Sequence, residues 1–361
     1  MGAVRAGEAT TAQGDSRWMA AALALAERTR GATAPNPNVG CVLVRGGHVV
    51  GRGWTQPGGR PHAEAMALAQ AGDNARGATA FVTLEPCAHA SHRGPACAAL
   101  LVAAGVARVV AALRDPDPRT DGAGFALLSE AGIAVEHGIG ANDAARSMAG
   151  FLTRRRLGRP YVTLKLATSL DGRIALPDGT SRWITGSAAR AHAHLERSRH
   201  ETILVGRGTW QVDRPVLDVR LPGLERHSPR RVVLTSRAQS VTASSHLALD
   251  AAEDEPGPIV IADPAAIAAL PGDHLLVEGG AATAAAFLAA DLVDRLLLYR
   301  APIVVGAGLP AIGDIGLADL AGAHGRWRCQ DARALGSDRL EVYERIPCSP
   351  AESATSERSR R

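Results

Sequence analysis

Apolar runs alternate with small and polar stretches along most of this chain, and each change of period predicts an element. Residues 18–30 are rich in helix formers and end in basic residues before Gly31, which predicts a helix. Pro35-Asn36-Pro37-Asn38 breaks the chain, and the apolar run 39–44 reads as a buried strand. Gly46-Gly47 turns it, so residues 48–53 are expected to return as a hairpin partner. A helix is expected over 63–71, starting beside His62, then a strand over 79–84. Cys97 opens a helical run to 104, followed by a strand over 106–112 and helices over 122–132 and 141–155.

Residues 154–160, Arg-Arg-Arg-Leu-Gly-Arg-Pro, change the composition abruptly and read as a linker. Their arginines are a candidate patch for phosphate or nucleic acid, but a solvated junction is the preferred reading. Beyond them, 161–167 alternates as a strand and Asp171-Gly172-Arg173 turns. A helix over 187–199 leads to strands over 202–205, 231–234, 259–262, 274–277 and 295–299, with a helix over 282–289. Strands and helices taken in turn imply α/β sheets covered on both faces. The boundaries expected are a disordered start (1–15), a first domain (16–153), the linker (154–160), a second domain (161–346) and a disordered tail (347–361). No internal repeat is visible.

Composition narrows the class. The 361 residues suit two domains of ordinary size, and 46% hydrophobic with 21% charged residues describes a soluble globular protein. A net charge of +4 and 3% aromatics argue against nucleic acid, which wants long basic runs and stacking platforms. Cys41, Cys87, Cys97, Cys329 and Cys348 are odd in number and scattered, so they fit a reducing cytoplasm better than a disulfide framework. No secretory pattern and no long apolar run point to a membrane. The expected protein is cytoplasmic and homo-oligomeric, with a small-molecule substrate and neither nucleic acid nor membrane as partner.

The candidate chemistry sits between Pro61 and Cys97. Pro61-His62-Ala63-Glu64, then Glu85-Pro86-Cys87, then Gly94-Pro95-Ala96-Cys97 offer one imidazole and two thiolates. That set leaves the fourth position of a tetrahedral zinc for water, and it is the ligand pattern of zinc-dependent nucleobase deaminases. Zinc lowers the pKa of such a water from about 15.7 to about 7, and Glu64 would carry the proton to the leaving amine. All three ligands fall at helix starts, where the dipole favours thiolate. Cys41, inside a strand, reads as core, and Cys329 and Cys348 have no companion ligands. His89 is a candidate substrate contact, whereas His92 reads as an exposed loop residue beside Glu85.

In the second half no Gly-x-Gly-x-x-Gly follows a strand, so a Rossmann site lacks direct support. Glu278-Gly279-Gly280, between a strand and a helix, would let a phosphate approach a helix N-terminus. Lys165 stands in an otherwise apolar strand, where a lysine is costly unless paired or functional. Thr235-Ser236-Arg237 at a strand end suits a ribose 2′-phosphate and favours NADPH over NADH.

Taken together, PNPNVGCVLV, HAEAMAL, VTLEPCAH, GPAC, RPYVTLKLATSLDGRIA, SRWIT and VEGG resemble the bifunctional riboflavin-biosynthesis deaminase/reductase family over residues 16–346. The resemblance implies a cytidine-deaminase-like α/β/α domain followed by a dihydrofolate-reductase-like α/β domain. It also implies zinc and NADPH as cofactors, and a diaminopyrimidinone with a phosphoribosylamino group as substrate. The ring amino group would be hydrolysed, then the ribosyl reduced to ribityl. By the same resemblance Asn36 and His89 contact the pyrimidine. Ala167, Trp183, Thr209, Asp213, Ser236 and the stretch Gly280, Ala281, Ala282, Thr283, Ala284, Ala285 and Ala286 face the dinucleotide, beside the 2′-phosphate reading already given for Arg237. Ser181, Arg197, Leu217, Arg220 and Glu278 face the phosphoribosyl group, with Arg197 and Arg220 suited to phosphate. Lys165 and Asp213 serve the sugar carbonyl, where hydride transfer builds negative charge that Lys165 would stabilise. The chain departs from the family in one place, since the loop between Cys87 and Cys97 is one residue longer than the family pattern. A base or tRNA deaminase with an appended binding domain is the competing reading.

Overall fold

The computed structural model describes residues 3–90, 93–236 and 257–346, with side chains from residue 14 onward. The expected tail and the residues His92, Arg237 and Cys348 lie outside the described residues. The chain divides into two compact units, Met1–Pro160 and Tyr161–Arg361.

The first unit is built on strands β1 (Gly40–Arg45), β2 (His48–Trp54), β3 (Thr79–Val82), β4 (Arg108–Ala111) and β5 (Ala134–His137), in the order β2-β1-β3-β4-β5. β1 runs antiparallel to β2 and β3, whereas β3, β4 and β5 are mutually parallel. Its helices are α1 (Ala3–Ala26), α2 (Ala63–Ala71), α3 (Cys97–Ala104), α4 (Ala123–Glu130), α5 (Ala141–Ser147) and α6 (Ala149–Leu157). Glycines set the spacing of the layers. A Cβ on Gly40 would meet Ala22 O at 1.9 Å, and one on Gly53 would meet Ala63 O at 2.0 Å. Gly53 pairs with Cys41 and Gly40 with Trp54, so α1 and α2 press on opposite faces of the β1–β2 hairpin. The core between them includes Cys41, Leu43, Phe81, Leu101 and Leu128, all at most 2% exposed.

Two expectations give way here, and one strand was not anticipated. The start expected to be disordered is helical from Ala3, and Asp15 is tied to Arg108 by bonds of 2.7 and 3.1 Å. An alanine-rich run has the propensity for a helix, and the pair at Asp15 anchors it. The expected linker is no loop either, because α6 carries Arg154, Arg155 and Arg156 in its last turn and ends at Gly158 in the left-handed conformation. Strand β5 went unread, being short and largely exposed.

The second unit has an eight-stranded sheet in the order β10-β9-β8-β11-β6-β12-β15-β14. These strands are β6 (Tyr161–Thr168), β8 (Thr202–Gly206), β9 (Arg230–Leu234), β10 (Ile259–Ile261), β11 (His274–Val277), β12 (Arg295–Arg300), β14 (Trp327–Leu335) and β15 (Asp338–Arg345). From β10 to β12 the sheet is parallel, and β15 and β14 close it as an antiparallel hairpin. Strands β7 (Arg173–Ala175) and β13 (Leu309–Pro310) pair separately, so Arg173 begins a strand where only a turn was expected. The helices are α7 (Ser187–Arg197), α8 (Arg207–Asp213) and α9 (Ala281–Ala289). The final hairpin and α8 were not read from sequence. β14 is exposed at most positions, so its pattern lacks the apolar alternation that marks a half-buried strand.

Candidate active sites

In the first unit, three connections from different parts of the sheet converge. Pro61-His62 enters α2, with His62 as its N-cap; Glu85-Pro86-Cys87 follows β3; Cys97 is the first residue of α3. His62 Nδ1 lies 3.3 Å from Cys97 Sγ and 3.7 Å from Cys87 Sγ. All three donor atoms fall within 4.8 Å of one another. A tetrahedral zinc with ordinary Zn–N and Zn–S bonds separates such donors by roughly 3.5–3.8 Å, so the residues present fit the metal. The longer loop before Cys97 leaves the cysteine in place, since Cys97 N–H donates to Cys87 Sγ at 3.3 Å and Ala98 N–H to Cys87 O at 3.2 Å.

The electrostatics suit a metal. A hydrogen bond from Cys97, opposed by burial and aided by His62, draws the Cys87 thiol down to about 4. Cys97 moves up, because a second thiolate beside the first is unfavourable. Glu64, 3% exposed, is pushed up to about 7 by burial, with His62 opposing and Cys87 adding to the rise. A carboxyl near neutrality suits proton transfer in both directions. Burial also raises Cys41, with Glu64 adding to the rise, and its side chain lies in the core as expected.

Glu85 turns out to be a structural clamp. Its carboxylate accepts from the backbone N–H groups of Asp115, Gly122, Gly124 and Phe125 at 2.9–3.2 Å. This ties the ligand-bearing loop to the start of α4, where the helix dipole favours an anion. Gly124 completes the contact, since a Cβ there would meet Pro86 O at 2.0 Å.

His62 and Cys87, with Glu64, line a cavity of about 320 Å³, within the range of small-molecule sites. Asn36 and His89 line it as expected. Asn36 Nδ2 lies 3.1 Å from His62 Nε2, and His89 Nδ1 lies 3.4 Å from Thr120 Oγ1. Arg155 of the wall belongs to the arginine cluster for which a solvated junction was preferred over a phosphate patch, whereas three further arginines and two aspartates were not singled out from sequence: Arg60, Arg93, Arg119, Asp115 and Asp117. Their one available signal was the Asp115-Pro-Asp117-Pro-Arg119 run just beyond β4, at the carboxyl end of a parallel strand.

In the second unit, Lys165, Arg197 and Glu278 come together. Arg197 forks onto Glu278 at 2.7 and 3.0 Å, and Lys165 Nζ lies 3.6 Å from the same carboxylate. Burial pushes the Glu278 carboxyl up, but the two cations outweigh it and hold it near 2. Arg197 also donates to Asp218 O at 3.0 Å, so its fork is engaged by protein groups rather than open to a phosphate. Arg220 is the more accessible guanidinium, with Asp218 at 3.4 Å and its side chain 63% exposed. Leu217 packs among Ile203, Val205 and Trp210, a core position.

β8 and β11 end side by side, each running into a helix through a glycine. Gly206 leads into α8 with Thr209 and Asp213, and Gly280 leads into α9. A Cβ on Gly206 would meet Thr283 Oγ1 at 2.2 Å, and one on Gly280 would lie 3.8 Å from Thr209 Oγ1, so the two helix starts share one corner. Within the stretch from Gly280 to Ala286, Thr283, Ala284 and Ala285 are buried against the protein, which leaves Gly280, Ala281, Ala282 and Ala286 partly or fully exposed. Ala167 lies on β6 two residues beyond Lys165. Trp183 is 66% exposed with the Arg190 guanidinium 4.6 Å from its ring centre, and Arg182 reaches Asp213 O at 3.4 Å. Ser181 is half-buried and Ser236 exposed, each on a loop.

A zinc-deaminase centre on one α/β unit, followed by a mainly parallel α/β unit of reductase type, defines a two-domain enzyme class. Family models agree: the cytidine and deoxycytidylate deaminase zinc-binding region matches residues 12–113, and the RibD C-terminal domain matches residues 160–340. The riboflavin biosynthesis protein RibD of Escherichia coli is 38% identical, the match covering 90% of this chain and 97% of that protein. Its Aquifex aeolicus counterpart is 35% identical over 92% of this chain and 98% of that protein. Among solved structures, Acinetobacter baumannii RibD is 37% identical with a TM-score of 0.82, covering 93% of this chain and 100% of that one. The deaminase/reductase of Thermotoga maritima, at 30% identity, gives the same TM-score and coverage. The chain belongs to the RibD family of riboflavin-biosynthesis proteins, which join a zinc-dependent deaminase to a reductase. The competing base or tRNA deaminase reading is not favoured.

Proposed function

We propose that the first unit deaminates 2,5-diamino-6-(5-phosphoribosylamino)pyrimidin-4(3H)-one and that the second reduces the product's ribosyl group with NADPH, giving 5-amino-6-(5-phosphoribitylamino)uracil. The observation that carries the reading is the pairing of a complete His-Cys-Cys donor set beside buried Glu64 with a full-length RibD match. The solved Thermotoga maritima relative is described as a diaminohydroxyphosphoribosylaminopyrimidine deaminase and 5-amino-6-(5-phosphoribosylamino)uracil reductase.

In the first reaction a water oxygen bonds to the ring carbon and the bond from that carbon to the amino nitrogen breaks. His62, Cys87 and Cys97 would hold a zinc ion, which when bound would supply the Lewis acidity that makes water nucleophilic at neutral pH. Glu64 takes the water's proton and delivers it to the departing nitrogen, which leaves as ammonia. Asn36 and His89 orient the ring from the cavity wall. In the second reaction Lys165 offers positive charge to the sugar oxygen as hydride arrives, and Glu278 with Arg197 fixes the position of that ammonium. Asp213 assists around the sugar. Ser181 and Arg220 bound the phosphoribosyl group. Ala167, Trp183, Thr209, Ser236, Arg237 and the start of α9 bound the dinucleotide.

Cytoplasmic residence fits two thiolate ligands that need a reducing compartment. No described helix is long and apolar enough to cross a membrane. Self-association belongs to the same reading and is measured by sedimentation. The test of the whole is ammonia release from the diaminopyrimidinone phosphate without NADPH; no release from zinc-loaded protein overturns it.

A further inference from the structure

Lys165 carries its charge on a flexible four-carbon stem, and the Glu278–Arg197 pair restrains that charge from one direction. An aromatic ring stands in another. Lys165 Nζ lies 5.9 Å from the centre of the Tyr299 ring, within reach of a cation–π contact. Strand register explains the meeting. β6 and β12 run parallel, with Lys165 opposite Leu297 and Ala167 opposite Tyr299, so Lys165 and Tyr299 emerge on one face of the sheet. Helix α7 covers that face, its Ala189 and Ala193 clustering with Leu297 and Tyr299.

The ring is tethered as well as packed. Tyr299 is 1% exposed, and its hydroxyl lies 2.7 Å from His192 Nδ1 on α7. The other imidazole nitrogen, Nε2, lies 2.9 Å from Arg333 Nη2 on β14. A guanidinium only donates, so Nε2 accepts, the ring proton sits on Nδ1, and Nδ1–H donates to the Tyr299 oxygen. This needs a neutral imidazole. Burial pulls the His192 pKa down, Glu196 opposes, and Arg333 adds to the fall. One helix therefore fixes both neighbours of the lysine: Arg197 forks onto Glu278, and His192, earlier on α7, holds Tyr299.

Resting on the reading that Lys165 serves the sugar carbonyl, we propose that Tyr299 is a positioning residue for the reduction, its ring held by the Arg333–His192 tether so that it aims the Lys165 ammonium at the reacting oxygen. Charge grows on that oxygen only as hydride arrives, so a misdirected ammonium slows the step without weakening the binding of pyrimidine or NADPH. Loss of the ring therefore lowers kcat and spares KM.

The experiment gives the full chain the already deaminated pyrimidine phosphate and NADPH. It reads kcat, both KM values and the isotope effect with NADPH deuterated at the transferred hydrogen. Tyr299→Leu is expected to lower kcat by about 3- to 30-fold, the worth of a partly desolvated cation–π contact. Both KM values stay unchanged and the isotope effect grows, because the hydride step has slowed. Tyr299→Phe and His192→Leu keep the ring and cut its tether, so each is expected to lose about 2- to 5-fold, the net worth of one neutral hydrogen bond. The double variant should lose no more than either single one, since both changes remove the same bond. Should Tyr299→Leu fail to bind NADPH, the two tether variants decide alone. An unmoved kcat across the set, or a rise in KM with kcat unchanged, overturns the proposal while Lys165→Met has lost reduction. The lysine reading fails differently: Lys165→Met reducing the pyrimidine as fast as the unaltered chain sinks that reading, and the role of Tyr299 with it.

Discussion

Glu64 and Glu85, twenty-one positions apart, show how burial can serve opposite ends. Glu64 has few partners to hold its charge, and burial pushes its carboxyl up to about 7, where it can exchange a proton. Glu85 is as deeply buried but has four N–H donors and serves as a fixed acceptor that ties two loops together. Glu64→Gln is therefore expected to keep one zinc per chain while deamination falls by about 10²–10⁴-fold, the usual worth of a general acid–base group; metal analysis beside an ammonia assay checks both halves. Glu85→Ala should do the reverse of a catalytic change. It strands four backbone donors, so stability is expected to fall by about 2–3 kcal/mol in a denaturant titration, with zinc binding weakened along with it.

Elements matter through how closely they approach. Helix α2 carries His62 at its cap and Glu64 in its first turn, and it reaches β2 because Gly53 has no side chain. Gly53→Ala would drive a Cβ to 2.0 Å from Ala63 O, so α2 must move and zinc content is expected to drop. Gly14→Ala, in open space on α1, should leave zinc content unchanged in the same assay. The corresponding element-level tie in the second unit is ionic, where Lys165 on β6, Arg197 on α7 and Glu278 beyond β11 meet. A carboxyl held near 2 against its ordinary 4.5 contributes stability that is present above pH 4.5 and lost as the pH falls towards 2. Thermal melts are expected to show the second unit weakening across that window. Glu278→Gln should remove the acid-side step but cost roughly 1–3 kcal/mol at neutral pH, because two half-buried cations lose their charged partner.

At the scale of the whole molecule, legibility followed locality. The zinc ligands and Glu64 were readable because each sits in a short run with its own helix-start signal. The mostly parallel sheets were readable because their strands are continuous apolar segments. Asp117 was not, nor was its meeting with Arg155, because that meeting depends on a loop beyond β4 and a helix expected to be a linker arriving at one wall. The β14–β15 hairpin escaped because β14 has little apolar alternation to betray it. Likewise, the sequence suggested Arg197 for phosphate, and only the fold reveals that Glu278 already occupies its fork.

Two chemistries in one chain should also separate by metal. Chelation of zinc is expected to abolish deamination while reduction of the already deaminated pyrimidine by NADPH continues, which a spectrophotometric assay follows directly. The decisive measurement is a sequential assay of the purified full chain on the diaminopyrimidinone phosphate, with ammonia quantified before NADPH is added and NADPH oxidation quantified afterwards. One ammonia released per substrate without NADPH, followed by one NADPH consumed per product, is the predicted result. NADPH oxidation without prior ammonia release, or ammonia release with no later NADPH consumption, would contradict the account.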